Sequence, residues 1–120
     1  MRTYISLLAL FLLGIQCQDN KLQFNSRGKF KIVQFTDIHF GEGAEKDFNS
    51  TRLMNDILDQ EKPDFVVVTG DVVSGYAWDK VTRPWAAKVY DTMAQVLKAR
   101  GLHWALTAGN HDEEGDLNRA

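Results

Sequence analysis

Three short motifs of polar residues have the types and the spacing to bind metal ions. They are Asp37-Ile38-His39, Gly70-Asp71 and Gly109-Asn110-His111-Asp112. Each motif follows an apolar run that predicts a buried strand, and ligands bind beyond the carboxyl ends of the strands in open α/β sheets. Carboxylate, imidazole and amide groups together suit ions such as Mn, Fe or Zn. The three motifs therefore predict a metal site at one rim of a sheet.

The first two motifs offer carboxylate and imidazole ligands. Asp37 and His39 are two residues apart, so they point to the same side if strand geometry persists as far as His39. Asp71 follows Gly70, which permits a sharp turn and close approach to a ligand, and its two oxygens could bridge two metal ions. Taken singly, each motif is more typical of a capping or turn-forming aspartate. Taken together, they favour the metal site.

The third motif adds an amide and a proton donor. Asn110 offers a neutral amide oxygen as a ligand, and His111 can donate a proton or a hydrogen bond. Asp112 could hold the His111 imidazole and raise its basicity through a contact outside the ligand shell. A polar turn is the alternative interpretation of these residues.

The predicted secondary structure around the motifs alternates between strand and helix. Apolar and β-branched runs predict strands over residues 30–36, 65–69 and 103–107. The middle run is apolar throughout, which is typical of a parallel strand buried on both faces. The order strand, helix, strand, helix, strand predicts an α/β fold with a parallel sheet and right-handed crossovers.

Two helices are predicted between the strands. The first covers about residues 51–60 and is capped by Asn49 or Ser50, and the second starts at about Pro84 and ends just before Gly101. Helical spacing predicts that their apolar residues face the core. These residues are Leu53, Met54, Ile57 and Leu58 on the first helix, and Trp85, Val89, Met93, Val96 and Leu97 on the second.

The amino terminus has the layout of a secretory signal peptide, assigned to residues 1–17. A positive charge at Arg2 precedes an uncharged apolar run over residues 5–15. A membrane anchor is the alternative, but this run is shorter than the roughly 20 residues that a spanning helix needs. Residues 18–28 are polar and are interpreted as a leader into the domain. We therefore expect a protein of the secretory lumen or exterior, with no stable membrane anchor after cleavage.

Cysteine content and glycosylation add little to this assignment. Cys17 is the only cysteine, so the mature chain is expected to have no internal disulfide and no thiolate ligand. Asn49-Ser50-Thr51 is an N-glycosylation sequon, expected in a surface loop and compatible with export.

Composition limits the classes of protein to which the chain can belong. It has 120 residues, which is enough for one domain at most, and its 44% hydrophobic content is that of a globular protein. The formal net charge is −2, and the sequence has no basic stripe. Charge therefore gives no support for a nucleic-acid partner.

The motifs resemble those of the metallophosphoesterase (calcineurin-like phosphoesterase) superfamily. The segments FKIVQFTDIHFGEG, PDFVVVTGDVVSGYAWD and TAGNHDEEGDLNR look most like its purple acid phosphatase-related branch. The resemblance implies that residues 29–120 form the N-terminal part of such a domain. The fold it implies is the βαβαβ half of an α/β/β/α sandwich, incomplete at the C-terminus.

The resemblance also implies a role for each site residue in a binuclear metal centre. Asp37 and His39 would bind the first metal ion, Asp71 would bridge both, and Asn110 would bind the second. His111 would sit near the leaving group, with Asp112 orienting it.

Two departures from the family pattern bear on these expectations. Ser74 stands where purple acid phosphatases usually place an iron-binding tyrosine, with Tyr76 two residues further on, so the metal pair is left open among Fe, Mn and Zn. The chain also ends at Ala120, before the last histidine motifs of the family, and His103 is not expected to replace them. We therefore expect a fragment with one sheet face uncovered and weak metal binding.

The implied activity is hydrolysis of phosphate monoesters, on a phosphorylated small molecule or a phosphoprotein. A phosphodiesterase or nuclease of the same superfamily is one alternative, because the same metal ions serve either reaction. A non-catalytic interaction protein that retains the fold is the other alternative.

Overall fold

A computed structural model describes residues 21–117, which form a three-stranded parallel sheet with two helices. The strands are β1 (Ile32–Phe35), β2 (Phe65–Thr69) and β3 (His103–Thr107), and they lie in the order β1-β2-β3. The helices are α1 (Ala44–Glu61) and α2 (Trp85–Lys98), and short 3-10 turns cover Gly75–Ala77 and His111–Glu114. The α/β prediction is confirmed. The predicted signal peptide and the start of the leader lie outside the described residues.

Two of the three strands have the predicted bounds, and the first is shorter than expected. β1 covers four residues rather than residues 30–36. At its start the backbone N–H of Lys31 donates to the Asp64 carboxylate at 2.7 Å. Past its end, Asp37 adopts a left-handed conformation with φ 52°. Local hydrogen bonding and a backbone turn therefore shorten the strand that the apolar run predicts.

Helix α1 begins seven residues earlier than predicted, at Ala44. Gly43 precedes it without a side-chain capping bond, so the predicted caps at Asn49 and Ser50 are wrong. The acidic residues of its first turn, Glu45 and Asp47, favour this earlier start because they complement the helix dipole. The sequon was expected in a surface loop, but Asn49 lies on the exposed side of this helix.

Helix α2 matches its prediction closely. Gly101 follows it with φ 63°, and its backbone N–H donates to the Lys98 carbonyl at 3.0 Å. The N–H of Leu102 reaches back to the Leu97 carbonyl at 3.2 Å. These two bonds form a Schellman motif, which explains why the sequence places glycine there.

Both helices pack on one face of the sheet. The core contains Val66 and Val68 of β2, together with helix side chains. Of the predicted helix faces, Met54, Leu58, Met93, Val96 and Leu97 are buried, and Ile57, Trp85 and Val89 are partly buried. Leu53 is an exception, since 60% of it is exposed.

The opposite face of the sheet has little cover. Ile32 of β1 is 55% exposed, and Ala105 and Thr107 of β3 are also exposed. Val67 of β2 is half-buried, so this strand is fully buried on one face only. Within residues 21–117 this face of the sheet is therefore partly exposed. Within residues 21–117, no helix is long and apolar enough to cross a membrane.

Candidate metal centre

Hydrogen bonds join the loops that follow β1 and β2. The N–H of Asp37 donates to the carbonyl of Gly70 at 3.2 Å, and that of His39 to the carbonyl of Asp71 at 3.1 Å. The N–H of Phe40 then donates to the Val72 carbonyl at 2.8 Å. Parallel pairing thus continues beyond the strands and sets the first motif beside the second.

Three of the four predicted ligands converge at this rim. Ligand atoms of Asp37, His39 and Asp71 all lie within 4.8 Å of one another. Asp37 is exposed, while His39 and Asp71 are half-buried, so the cluster opens to solvent. A pair of carboxylates with an imidazole fits a borderline metal ion. The structure therefore brings these side chains together, and their role as ligands stays a prediction.

The backbone geometry at the three residues differs from the strand geometry that was assumed. Asp37, His39 and Asp71 have φ values of 52°, 56° and 49°, all in the left-handed region. Such conformations cost on the order of 1–3 kcal/mol each for residues other than glycine and cluster at functional sites. Asp37 and His39 therefore meet because the chain turns twice, and not because an extended strand points them to one side.

Two glycines let the loops after β2 and β3 touch. A Cβ atom on Gly70 would lie 2.8 Å from the Cα of Gly109, and one on Gly109 would lie 2.2 Å from Oδ1 of Asp71. Both distances are too short for real atoms. Any side chain at Gly109 would therefore occupy the space that the Asp71 carboxylate uses.

The third motif reaches the cluster through its backbone. The N–H of His111 donates to Oδ1 of Asp71 at 2.9 Å. Asn110 is exposed and precedes the 3-10 turn His111–Glu114. It stands between two residues that contact Asp71, so it lies at the same rim. Its role as a ligand of a second metal ion stays a prediction.

The His111 ring faces the cluster and is held by Glu114. Its Nδ1 lies 2.7 Å from Oε2 of Glu114, and its ring centroid is 5.3 Å from that of His39. The hydrogen bond to Glu114, helped by the nearby negative charges of Asp71 and Asp112, raises the pKa of His111 above its ordinary value. Sequence reasoning missed Glu114, although its spacing of three residues from His111 suits a 3-10 turn.

Asp112 has a different role from the predicted one. It is 4% exposed, and its oxygens accept the backbone N–H groups of Val73 at 3.0 Å and Gly109 at 2.6 Å. Burial and a hydrogen bond to Asp112 also raise the pKa of Tyr90. The 3-10 turn directs Asp112 inward, so it ties two rim loops together. The expectation that Asp112 orients the His111 ring is therefore wrong, since Glu114 makes that contact.

A hydrogen-bonded group behind His39 was also missed by sequence reasoning. Nδ1 of His39 lies 3.0 Å from the hydroxyl of Ser74, which donates to Oε1 of Glu42 at 2.8 Å. The Tyr76 hydroxyl donates to the same carboxylate oxygen. Lys46 lies 2.6 Å from its other oxygen. The hydrogen bonds from Lys46, Tyr76 and Ser74, in that order, lower the pKa of Glu42 to about 2.

Comparison with known proteins agrees with this geometry. The model of the calcineurin-like phosphoesterase family matches residues 30–120. The chain belongs to this family. Calcineurin-like phosphoesterases use divalent metal ions, and the carboxylate and imidazole groups at the rim fit such ions. His103 lies at the first residue of β3, at the opposite end of the strand from this rim.

Several known proteins are similar to the chain in sequence. Phosphatase DCR2 of Saccharomyces cerevisiae is 36% identical over 112 residues, covering 82% of this chain and 19% of that protein. Probable inactive purple acid phosphatase 14 of Arabidopsis thaliana is 33% identical, covering 82% of this chain and 27% of that protein. Probable inactive purple acid phosphatase 28 of the same plant is 32% identical with the same coverage of each chain.

The chain thus spans between 19% and 27% of the length of these three relatives. No solved structure matches the chain. These comparisons establish the calcineurin-like phosphoesterase family for residues 30–120.

Proposed function

We propose that the protein is a phosphomonoesterase, similar to purple acid phosphatases, that uses a binuclear metal centre. The observation that carries the proposal is the convergence of Asp37, His39 and Asp71 at one rim, within 4.8 Å of one another. The His111 ring stands beside them, at 5.3 Å from His39 between centroids. A cluster of candidate metal ligands with an adjacent imidazole can support metal-assisted hydrolysis of a phosphate ester.

Each side chain of the rim has a part in this proposal. Asp37 and His39 would hold one metal ion, Asp71 would be shared between that ion and a second one, and Asn110 would be a further ligand of the second ion. When bound, the pair (from Fe, Mn or Zn) polarises the phosphoryl group and lowers the pKa of water to about 7.

His111 acts on the leaving group. Its raised pKa keeps the imidazole protonated to higher pH than an ordinary histidine, because Glu114 accepts from Nδ1. The other ring nitrogen is then able to donate to the departing oxygen of the ester. Glu114 supports this step by fixing the orientation of the ring.

The proposed substrate is a phosphorylated small molecule or a phosphoprotein in the secretory lumen or outside the cell. The apolar run at residues 5–15 supports export, with no stable membrane anchor after cleavage. The formal net charge of −2 supports a substrate other than nucleic acid.

Comparing hydrolysis of an aryl phosphate and of its diester by the full-length gene product, with added Mn, Zn or Fe, tests the proposal. We expect metal-dependent turnover with preference for the monoester. Asp71→Asn provides the background rate. Preference for the diester would contradict the phosphomonoesterase proposal and would favour a phosphodiesterase or nuclease.

A non-catalytic protein is the second candidate, and the names of two relatives favour it. Both carry the words "probable inactive". Metal binding at full stoichiometry without hydrolysis of either ester would establish this alternative.

A further inference from the structure

We propose that Ser74 and Glu42 are positioning residues that fix the tautomer of His39, leaving its Nε2 free to bind a metal ion. The inference rests on the proposed metal site, in which His39 is a ligand. It concerns two residues outside the three motifs, one in the loop before α1 and one in the loop after β2. Neither residue needs to touch a metal ion or substrate for the effect.

The direction of each hydrogen bond follows from the groups present. The Glu42 carboxylate can only accept, so the hydroxyl proton of Ser74 points to its Oε1 at 2.8 Å. Ser74 has a single hydroxyl proton, and its oxygen is therefore left to accept from His39. Nδ1 of His39, 3.0 Å away, must carry a proton. A neutral imidazole then has its lone pair on Nε2, where a metal ion can bind.

The two positioning residues are themselves held in place. Ser74 is 0% exposed, and its backbone N–H donates to the Phe40 carbonyl at 2.8 Å. The Glu42 carboxylate is held by Lys46 at 2.6 Å and by the Tyr76 hydroxyl. Because water has no access to the buried hydroxyl, Ser74 has few other ways to satisfy its proton. The chain from Glu42 to His39 thus has one consistent set of donors and acceptors.

Nitrogen-15 NMR of the metal-free, full-length gene product tests the tautomer directly. At mildly alkaline pH, long-range proton–nitrogen correlations distinguish a ring protonated on Nδ1 from one protonated on Nε2. We expect His39 to carry its proton on Nδ1. Finding the proton on Nε2 in the wild-type protein would overturn the inference without any variant, and it would leave the phosphatase proposal standing.

Two substitutions extend this test. Ser74→Ala removes the acceptor of the Nδ1 proton, and Glu42→Ala frees the Ser74 hydroxyl to donate to Nδ1. Both should shift His39 towards the Nε2-protonated form and weaken Mn or Zn binding by roughly 10–100-fold. An unchanged tautomer in both folded variants would contradict the inference. If Ser74→Ala fails to fold, Glu42→Ala still decides, because Glu42 lies in a partly exposed loop.

Tyr76→Phe is the matched control. It removes one hydrogen bond to Glu42 but leaves the path from Glu42 through Ser74 to His39 intact. The His39 tautomer should stay unchanged, and metal affinity should change by less than the range expected for Ser74→Ala. An equal effect of all three substitutions would point to general loosening of the loops and would overturn the assignment.

Discussion

Asp71 and Asp112 stand on neighbouring loops of one rim, and the structure uses their carboxylates in opposite ways. Asp71 is half-buried and accepts a single backbone N–H from His111, at 2.9 Å. It groups with other potential ligands that open to solvent. Asp112 is 4% exposed, and each of its oxygens accepts a hydrogen bond from a backbone N–H group. The same residue type thus joins a candidate metal site in one loop and binds backbone N–H groups in the other.

Backbone donors thus decide what each carboxylate can do. Buried N–H groups need partners, and a carboxylate held between two of them is not free to turn toward a metal ion. We therefore expect substitutions at Asp71 to change chemistry with little change in folding. Substitutions at Asp112 should change folding first and activity only as a consequence.

The largest effect is expected for Asp71→Asn. The substitution removes the charge that would offset two cations, so turnover on an aryl phosphate should fall beyond the roughly 100-fold typical of residues that act through a ligand. Circular dichroism and the thermal transition should stay close to wild type. Asp91→Asn, on the exposed side of α2, is the matched control and should retain activity. Near wild-type turnover with a full metal complement would refute the bridging role.

Gly109→Ala tests the close approach of the loop after β3 to the Asp71 carboxylate. Its Cβ would lie 2.2 Å from Oδ1 of Asp71, so the loops must move apart. We expect a loss of about 1–3 kcal/mol in the free energy of unfolding, together with weaker metal binding by titration calorimetry.

Gly101→Ala is the control for Gly109→Ala. An alanine at position 101 would be strained, because φ is 63° there, but its Cβ would meet no neighbouring atom within 4 Å. The variant should therefore lose stability without losing metal affinity. Equal metal affinity in both variants would show that the Asp71 carboxylate tolerates movement of the β3 loop.

Asp112→Asn should act mainly on stability. An amide has one acceptor oxygen where the carboxylate has two. The backbone N–H of either Val73 or Gly109 therefore loses its partner. The free energy of unfolding, measured by chemical denaturation, should fall by about 1–3 kcal/mol. Turnover should recover at low temperature, where the variant stays folded. Lost turnover with unchanged stability would restore the catalytic role that the sequence suggested.

Asp116 is a third carboxylate that binds backbone N–H groups, and it is more exposed than Asp112. Its substitution should have the smallest effect on stability. Asp116 accepts the N–H groups of Ala86 at 2.8 Å and Trp85 at 2.9 Å at the start of α2. These hydrogen bonds, that from Ala86 first, lower its pKa from the ordinary value of 3.8.

Because the folded-state pKa of Asp116 is depressed, its stabilising effect is present above the ordinary pKa and is lost as pH falls through the folded value. Thermal melts of wild type and Asp116→Ala should differ at neutral pH and converge below pH 3.8. A difference that persists in strong acid would contradict the assignment.

Much of the fold could be predicted because its signals are local. β2 and β3 coincide with their apolar runs, and Gly101 ends α2 where the periodicity stops. α1 was harder to predict, because its first turns are polar and carry no apolar period. Its predicted caps therefore fell inside the helix.

The partners of the site residues could not be predicted in the same way. Ser74 contacts Glu42 from 32 positions away in the chain, and Val73 contacts Asp112 from 39 positions away. Nothing in either segment marks its partner, because each contact exists only when two loops are brought side by side. Glu114 was closer in sequence, but only a 3-10 turn makes it reach His111.

Local composition and spacing were sufficient to predict the types of the candidate ligands, their order and the strands that precede them. Which aspartate joins the candidate site and which binds backbone could be seen only in the folded chain, because that choice depends on the donors that neighbouring loops present. The same is true of how the His39 ring is held, since the hydroxyl and the carboxylate behind it meet only in the folded chain.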